Sequence, residues 1–372
     1  MRKLVYVCSL FHPDDQATSQ LFSDLFSAMA MRGFQVEVFA GFPADRECVA
    51  NERWNGITIH RGGVRVDAKR SLFWRAISYA TYCLWLVWML LSSRLSGKRV
   101  LAATNPPFTP ILVWICAVAR GFDYDLFLLD IYPDGLVAVG TLHETSWFVR
   151  SWRALNRCAF AGANRVMLLG RDMADVCERR YGVPRERIFY VPHWAPMSVG
   201  QRMRAEQTRL WQRQHLGSKF VVQYSGNMGL WHDMETIIRA AAALADRADI
   251  HFLLIGGGIR RASAEQLAQE LRLSNVTWIP YQPKSELDDS LACCHAALIS
   301  QRNGIEGIAV PCKLYGILAS GRAVLAQVPE GSETALVVRE EDCGLVVRPG
   351  DVSALVGAIR KLAENRRRCE EL

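Results

Sequence analysis

Two successive series of short apolar runs, each alternating with longer stretches of helical spacing, constrain this chain more than any other feature. In the first series Leu4–Cys8 reads as a buried strand. A helical pattern over 17–32 comes next and stops at Gly33, and Gln35–Ala40 is again strand-like. Further strand runs fall at 57–60, 99–103, 125–130 and 165–169. In the second series strand runs at 220–224, 250–255, 276–278, 296–299 and 323–326 alternate with helical patterns at 233–246, 262–272, 284–293, 312–320 and 351–364. Repeated βα order argues for a parallel sheet with helices on both faces. Between the series, Pro192-His193-Trp194-Ala195-Pro196 and a Gln- and Arg-rich stretch break the pattern. The expectation is an α/β chain of two Rossmann-like domains, 1–195 and 219–372, facing each other across a cleft. A linker over 196–218 joins them and includes a helix leading into the second domain. The length of 372 residues suits two or three domains, at about 100–200 residues each. Ligands of such sheets bind beyond the carboxyl ends of the strands, so the loops at those ends carry the functional reading.

Charge and cysteine narrow the setting. Residues 1–200 hold 23 Lys and Arg against 17 Asp and Glu, and residues 201–372 hold 21 against 20, so the basic excess lies in the first half. The 11 cysteines include a neighbouring pair, Cys293-Cys294, form no C-x-x-C pair and have no disulfide or zinc spacing, which fits a reducing cytosol. Met1-Arg2-Lys3 leads straight into the first strand, which reads as core and not as a cleavable leader. Arg61, Arg65, Lys69, Arg70 and Arg75 form a basic run with one acid, Asp67. Such a run is either a solvated face or a contact for an anionic surface, lipid headgroups or nucleic acid. The adjoining stretch favours lipid: 76–93 has no charged residue and contains Tyr79, Tyr82, Trp85 and Trp88. As a helix it is apolar on every side, so it is expected to be buried in protein or to lie in a membrane interface, where Trp, Tyr and flanking Arg collect. Crossing is disfavoured, because strand patterns flank it on both sides. A second apolar stretch, Ile111 to Ala119, is too short to span a bilayer.

Five segments carry chemistry. Ser225-Gly226-Asn227-Met228-Gly229 joins a strand to a helix, either as a tight turn or as a phosphate cradle. Ile255-Gly256-Gly257-Gly258 is a packing turn or a nest of N–H groups. Gly304-Ile305-Glu306-Gly307-Ile308-Ala309-Val310-Pro311-Cys312-Lys313 sets one carboxylate among small residues and a lysine in a first helical turn. A cation there opposes the helix dipole, as expected where a ligand anion compensates. Asp130-Ile131-Tyr132-Pro133-Asp134 ends a strand, where a carboxylate can orient or deprotonate an acceptor hydroxyl. His12 and Asp14 form a second polar cluster at the end of the first strand. Asp123-Tyr124-Asp125 has the form of a metal-holding D-x-D pair, but it lies at the start of its strand. His193 reads as structural.

These segments resemble a known family. Phe11-His12-Pro13, Thr104-Asn105-Pro106-Pro107, Asp130-Ile131-Tyr132-Pro133-Asp134, Val191-Pro192-His193-Trp194-Ala195, Tyr224-Ser225-Gly226-Asn227-Met228-Gly229 and the run from Val310 to Arg322 are similar, in order and spacing, to retaining GT-B glycosyltransferases of family four. The resemblance is to the bacterial polysaccharide type that includes colanic-acid and O-antigen enzymes, and it covers nearly the whole chain. It implies an acceptor-binding first domain and a nucleotide-sugar-binding second domain. Glu306 would contact the donor sugar as the first glutamate of the E-x7-E motif, with Gly307 and Ile308 offering N–H groups to the diphosphate. Gly226, Asn227, Met228 and Gly257 would line the donor, Tyr281 would line the nucleobase, and Lys313 with Arg302 would supply positive charge. Asp130 would contact or activate the acceptor, with His12, Asp14 and Asp134 beside it. Arg70, Arg75, Tyr82, Trp85 and Trp88 would reach the bilayer.

Three departures stand out. The second glutamate of many relatives aligns with Gly316. Their diphosphate-gripping Arg and Lys appear as Asn227 and His232. The chain ends at Glu370-Glu371-Leu372, before the C-terminal helix by which relatives usually cross back, as a shortened form or a short natural one.

The resemblance therefore implies a metal-independent retaining transferase. It would move sugar from a nucleotide diphosphate-sugar, with UDP favoured, to a lipid-linked, polyprenyl-type acceptor in bacterial surface polysaccharide synthesis. It would need no cofactor, bind no nucleic acid, and sit peripherally on the inner face of the cytoplasmic membrane. The alternatives are a non-catalytic partner subunit, a nucleotide-sugar epimerase and a soluble small-molecule transferase.

Overall fold

A computed structural model of the chain describes residues 3–14, 16–43, 46–65, 72–200 and 203–372. It divides into two compact units, Met1–Val137 with Leu142–Pro192 and Ala138–Thr141 with His193–Leu372.

Unit 1 opens with β1 (Lys3–Val7), α1 (Ala17–Met31), β2 (Gln35–Gly41), β3 (Asn51–Trp54), β4 (Ile57–Gly62) and α2 (Leu72–Ser92). It continues through β5 (Arg99–Ala103), α3 (Thr109–Arg120), β6 (Tyr124–Leu128), α4 (Asp134–Ala138), α5 (Trp147–Ala161), β7 (Arg165–Leu168), α6 (Asp172–Arg179) and β8 (Ile188–Tyr190). The sheet order is β3-β4-β2-β1-β5-β6-β7-β8. All pairs are parallel except β3 with β4, an antiparallel edge that the strand-helix alternation did not foretell. The central strands are buried on both faces, as helix-covered parallel strands must be.

α2 covers most of the apolar stretch. Its inner face carries Tyr82, Leu86 and Leu90, all buried at the i, i+4, i+8 spacing of one helical side. The Tyr82 hydroxyl donates to the Phe39 carbonyl at 3.0 Å. Gly62 and Gly63 let the helix lie this close: a Cβ on Gly62 would stand 1.9 Å from the Trp85 ring, and one on Gly63 would stand 2.9 Å from the Tyr82 nitrogen. Tyr82 and Trp85, expected at a bilayer, are therefore what fastens α2 to the sheet. Only the other side remains apolar and open, with Leu84 at 73% and Trp88 at 61% exposure. Among the described residues no helix is long and apolar enough to cross a membrane. Arg70 lies outside the described residues, as does the side chain of Arg75. Arg61, from the same basic run, is buried and paired with Glu52 at 2.7 Å.

Unit 2 begins with α7 (Arg209–Arg213), β9 (Phe220–Ser225), α8 (Met234–Ala243), β10 (Ile250–Ile255), α9 (Arg261–Glu270), β11 (Val276–Ile279) and α10 (Leu287–Ala292). β12 (Ala296–Ser300), α11 (Lys313–Ala319), β13 (Ala323–Gln327), α12 (Glu333–Glu340), β14 (Gly344–Val347), α13 (Val352–Glu364) and α14 (Arg366–Glu371) complete it. Its parallel order, β11-β10-β9-β12-β13-β14, reverses direction between β9 and β12, where such sheets take their ligands. Along β9, Phe220, Val222 and Tyr224 enter one core and Val221 the other, the two-residue period of a strand. Part of the segment expected to be linker belongs to this unit. Leu210 and Trp211 are buried in its core, and Asp289 accepts the Arg209 and Leu210 N–H groups at 2.8 and 3.0 Å.

Candidate functional site

On unit 2 the loops after β9 and β10 are pressed together. The Gly226 N–H donates to Ile255 O at 2.9 Å, the Met228 N–H to Gly257 O at 2.6 Å, and the Arg260 N–H to Met228 O at 3.0 Å. A Cβ on Gly256 would sit 2.1 Å from Gly226 O, and one on Gly258 would sit 2.6 Å from Met228 O. Those two glycines are packing requirements, which decides the alternative the sequence left open. Several expectations are corrected by the same contacts. The N–H groups of Gly226 and Met228 are already engaged, and the Met228 side chain is wholly buried in the core. The Ile308 N–H donates to Ile305 O at 3.1 Å, so it is not open to a diphosphate.

Other expected donor residues lie at the surface of these loops. Asn227 is exposed beside the glycines, and its carbonyl accepts the Tyr224 hydroxyl at 2.7 Å. Glu306 is exposed, and its Oε2 accepts the Gly304 N–H at 3.0 Å. Gly307 has φ +72°, a conformation that favours glycine. The Tyr281 ring is 57% exposed and lies 3.4 Å from where a Cβ on Gly257 would be, leaving a flat aromatic face over bare backbone. The Arg302 N–H is tied to Trp231 O at 2.8 Å.

The group that stands apart is Lys313. Its Nζ lies 3.7 Å from the centroid of the Tyr224 ring and 3.3 Å from where a Cβ on Gly226 would be. It is buried and has no hydrogen-bond partner among the described residues. Burial pushes its pKa down to about 7. A cation–π contact is worth about 0.5–2 kcal/mol, whereas taking an ammonium out of water costs several kcal/mol. The balance is unfavourable until an anion arrives. His232 does not help. Its Nδ1 accepts the Gly229 N–H at 3.0 Å, and burial, with Lys313 nearby, pushes its pKa down to about 3. It is a neutral brace for the loop. Sequence reasoning missed two members of this cluster, Tyr224 under the ammonium and Arg260. The Arg260 Nε reaches Leu230 O at 3.3 Å. The signal for Arg260 was its place shortly after the glycine triplet.

On unit 1 the loops after β1, β5 and β6 are stitched to one another. The Ser9 hydroxyl donates to Asn105 Oδ1 at 2.7 Å, and Thr104 Oγ1 accepts the Leu129 and Asp130 N–H groups at 3.1 and 3.2 Å. This accounts for three of the motif segments meeting at one sheet edge. Asp130 follows β6, and its carboxylate takes no hydrogen bond from any described residue. Burial pushes its pKa up to about 7, suited to proton transfer near neutrality.

Asp134, four residues on, is the opposite case. Its buried carboxylate accepts from Arg153 Nε and Nη2 at 3.0 and 2.7 Å, from Arg180 and from the Tyr181 hydroxyl. The expectation that it binds an acceptor is corrected: it anchors the loop. Asp14 Oδ1 accepts the Gln16 N–H at 2.8 Å at the head of α1. The His12 ring stacks on Trp54 at 3.9 Å between centroids, a platform with no sequence signal because Trp54 lies on the unforeseen edge strand. Asp125 pairs with Arg99 at 3.1 Å inside the sheet, so the D-x-D pair is not a metal grip. His193 is buried, and burial pushes its pKa down to about 4.

Two parallel Rossmann-like sheets with these loops at their carboxyl edges define the GT-B class. Residues 207–372 match the family model described as glycosyl transferases group 1, and residues 18–194 match the glycosyl transferase 4-like domain. Between them the two models span most of the chain, and the chain belongs to the glycosyltransferases. WbjE of Pseudomonas aeruginosa, described as a probable glycosyltransferase, is 28% identical over 72% of this chain and 66% of its own length, just under two thirds. WcaI of Escherichia coli, described as a colanic acid biosynthesis glycosyl transferase, is 23% identical over 97% of this chain and 92% of its own length. Among solved structures, WaaG, involved in lipopolysaccharide biosynthesis, superposes with TM-score 0.72 at 17% identity over 99% of this chain and 92% of its own. HepE of Anabaena, in complex with UDP and glucose, superposes with TM-score 0.72 at 12% identity over 100% and 92%. At those identities the structural matches speak for the fold.

Proposed function

We propose that this glycosyltransferase moves a sugar, with retention and without a metal, from a nucleotide diphosphate-sugar bound on unit 2 to a lipid-linked acceptor bound on unit 1. Surface polysaccharide or lipopolysaccharide synthesis is the setting that the names of WcaI and WaaG suggest. The observation that carries the proposal is the buried, unpartnered Lys313 ammonium beside Gly226. A diphosphate is the ligand whose charge would repay its desolvation, and the same contact would stabilise the charge that develops as the diphosphate leaves. Glu306 would orient the donor sugar and Tyr281 would cover the base. UDP is favoured by the HepE complexes. On unit 1 Asp130, held near neutrality, would take the proton of the attacking hydroxyl. The outer face of α2, with Leu84 and Trp88, would rest on the cytoplasmic bilayer surface, where Trp is enriched.

A thermal-shift and calorimetric screen against UDP, GDP, ADP and dTDP, with and without EDTA, tests the donor half. One nucleotide is expected to bind at micromolar strength regardless of EDTA. Lys313→Met should weaken that binding roughly 10- to 100-fold, the loss of a charge-assisted hydrogen bond of about 1.5–3 kcal/mol. It should also raise the melting temperature of the free protein, because an uncompensated buried cation has gone. Failure of all four nucleotides to bind would sink the donor assignment and favour the partner-subunit reading, which the neutral His232 supports.

A further inference from the structure

We propose that an aromatic strip on unit 1, leading away from Asp130, holds the hydrocarbon chain of the acceptor. This rests on the lipid-linked-acceptor reading and assigns residues to it. The strip starts at Tyr132, two residues along the chain from Asp130. The Trp152 ring on α5 lies 6.3 Å from Tyr132 and nearly parallel to it, at 9°. Phe108, before α3, stacks on Trp152 at 4.2 Å. Phe148 meets Trp152 edge-on at 5.5 Å, and Trp147 meets Phe148 at 6.2 Å. The contacts link rings from a loop, the head of α3 and the head of α5 around the buried Trp152.

Exposure rises from Trp152 outward. Trp152 is buried at 5%, Phe108 and Phe148 are 40% and 41% exposed, and Trp147 is 78% exposed. Large apolar rings left open in a row signal a ligand or partner. Two observations select a lipid chain tethered to the acceptor over a flat bilayer or a second copy of this chain. The ring contacts end at Tyr132, two residues from the carboxylate that would meet the acceptor hydroxyl, so the occupant is part of the molecule that reacts there. The loop that carries both Asp130 and Tyr132 is also held from beneath by α5, through Asn156 Nδ2 to Tyr132 O at 2.5 Å and Arg153 to Asp134. α5 therefore positions the reacting group with one face and offers Trp147 and Phe148 with another. A branched prenyl chain presents only CH groups, which gain from burial against ring faces.

The test compares the whole chain with two double variants, Trp147→Ala/Phe148→Ala on the strip and Leu84→Ser/Trp88→Ser on α2. All four side chains are substantially exposed, and circular dichroism and melting temperature check that the variants fold. The probes are farnesyl diphosphate, inorganic diphosphate and flotation on vesicles of anionic phospholipid. The wild type is expected to bind farnesyl diphosphate more tightly than inorganic diphosphate. The strip variant should lose roughly ten-fold or more of that affinity, about 1.4 kcal/mol, with inorganic diphosphate and flotation unchanged. The α2 variant should do the reverse, losing flotation and keeping farnesyl affinity. Unchanged farnesyl affinity in the strip variant overturns the assignment. So does loss of flotation, which would make the strip a bilayer contact, or a change from dimer to monomer in sedimentation, which would make it a self-interface. Absence of any prenyl preference in the wild type would instead overturn the lipid-linked-acceptor reading itself.

Discussion

The carboxyl-edge loops of the two units solve one electrostatic problem with opposite signs. Unit 2 buries a lone ammonium, Lys313, and unit 1 holds a lone, half-buried carboxylate, Asp130. Burial pushes each to about 7. Each has a titratable neighbour that is fully tied off. His232 is fixed by a backbone N–H, and Asp134 by two arginines and a tyrosine. The difference lies in what the tied-off neighbour supports. His232 braces a glycine loop that is already packed by its own backbone. Asp134 is the centre of a buried ionic knot that joins α5, the end of α6 and the Asp130 loop. Free and tied-off carboxylates thus lie four residues apart on one loop, and the comparison can be broken there first.

Asp130→Asn is expected to give the largest loss of activity, about 10²–10⁴-fold in kcat for a general base. Its melting temperature should be little changed, because the half-buried carboxylate takes no hydrogen bond from a described residue. Asp134→Asn should show the converse. Arg153 keeps Glu144 and Arg180 is half exposed, so losing the Asp134 charge costs about 1–3 kcal/mol, several °C in melting temperature at this domain size. The folded fraction should keep most of its kcat. Calorimetric melting and turnover measured on the same preparations decide the matter. A stable, inactive Asp134→Asn would reverse the roles.

The pH profile sharpens the contrast, because the two groups must hold opposite protonation states. Asp130 accepts a proton only when ionised, so kcat/KM of the free enzyme should rise as pH increases through about 7. Lys313 grips phosphate only when protonated, and the empty site holds that proton less tightly than the unfolded chain does. Nucleotide affinity should therefore fall as pH rises above about 7, with proton uptake on binding below the lysine's ordinary range. Stability of the empty protein should move the other way, rising from about pH 7 upward, since the unfolded chain binds the extra proton there. Lys313→Arg keeps its charge throughout and should flatten the alkaline limb while leaving the acid limb in place. An alkaline limb that survives this change would belong to another group.

Most of the fold was legible, because buried parallel strands announce themselves as unbroken apolar runs bounded by glycine. Leu4–Cys8 and Ile250–Ile255 lie where the pattern put them, within a residue. α5 was not legible: its arginines and exposed rings hide a buried side made of Val149, Trp152, Asn156 and Phe160. β3 was not either, since four half-polar edge residues carry no period. At the site, Lys313 and Asp130 could be picked out because each breaks a local rule, a cation in a first helical turn and an acid ending an apolar strand. Gly226, Met228 and Ile308 fared less well. Glycine in a strand-to-helix loop serves backbone packing and phosphate approach alike, and only the neighbouring loop, one βα unit further along the chain, shows which. The aromatic strip had no signal at all, since Tyr132, Trp152 and Phe108 come together only through tertiary packing.

The smallest expected effect tests whether unit 2 has a recognition surface as well as a charge. Tyr281 keeps its ring largely open while lying over Gly257, a position where packing did not demand glycine as it did at Gly256 and Gly258. If the open face stacks a nucleobase, Tyr281→Ala should weaken UDP by up to roughly ten-fold. That is the scale of an aromatic pair worth about 0.5–1.5 kcal/mol. Affinity for inorganic diphosphate and kcat should be unchanged, and Tyr281→Phe should behave as wild type. An equal loss for UDP and diphosphate would mean that the ring only supports the glycine loop beneath it. Base recognition would then rest elsewhere on unit 2, and Lys313 would remain as a phosphate site without an aromatic partner for the base.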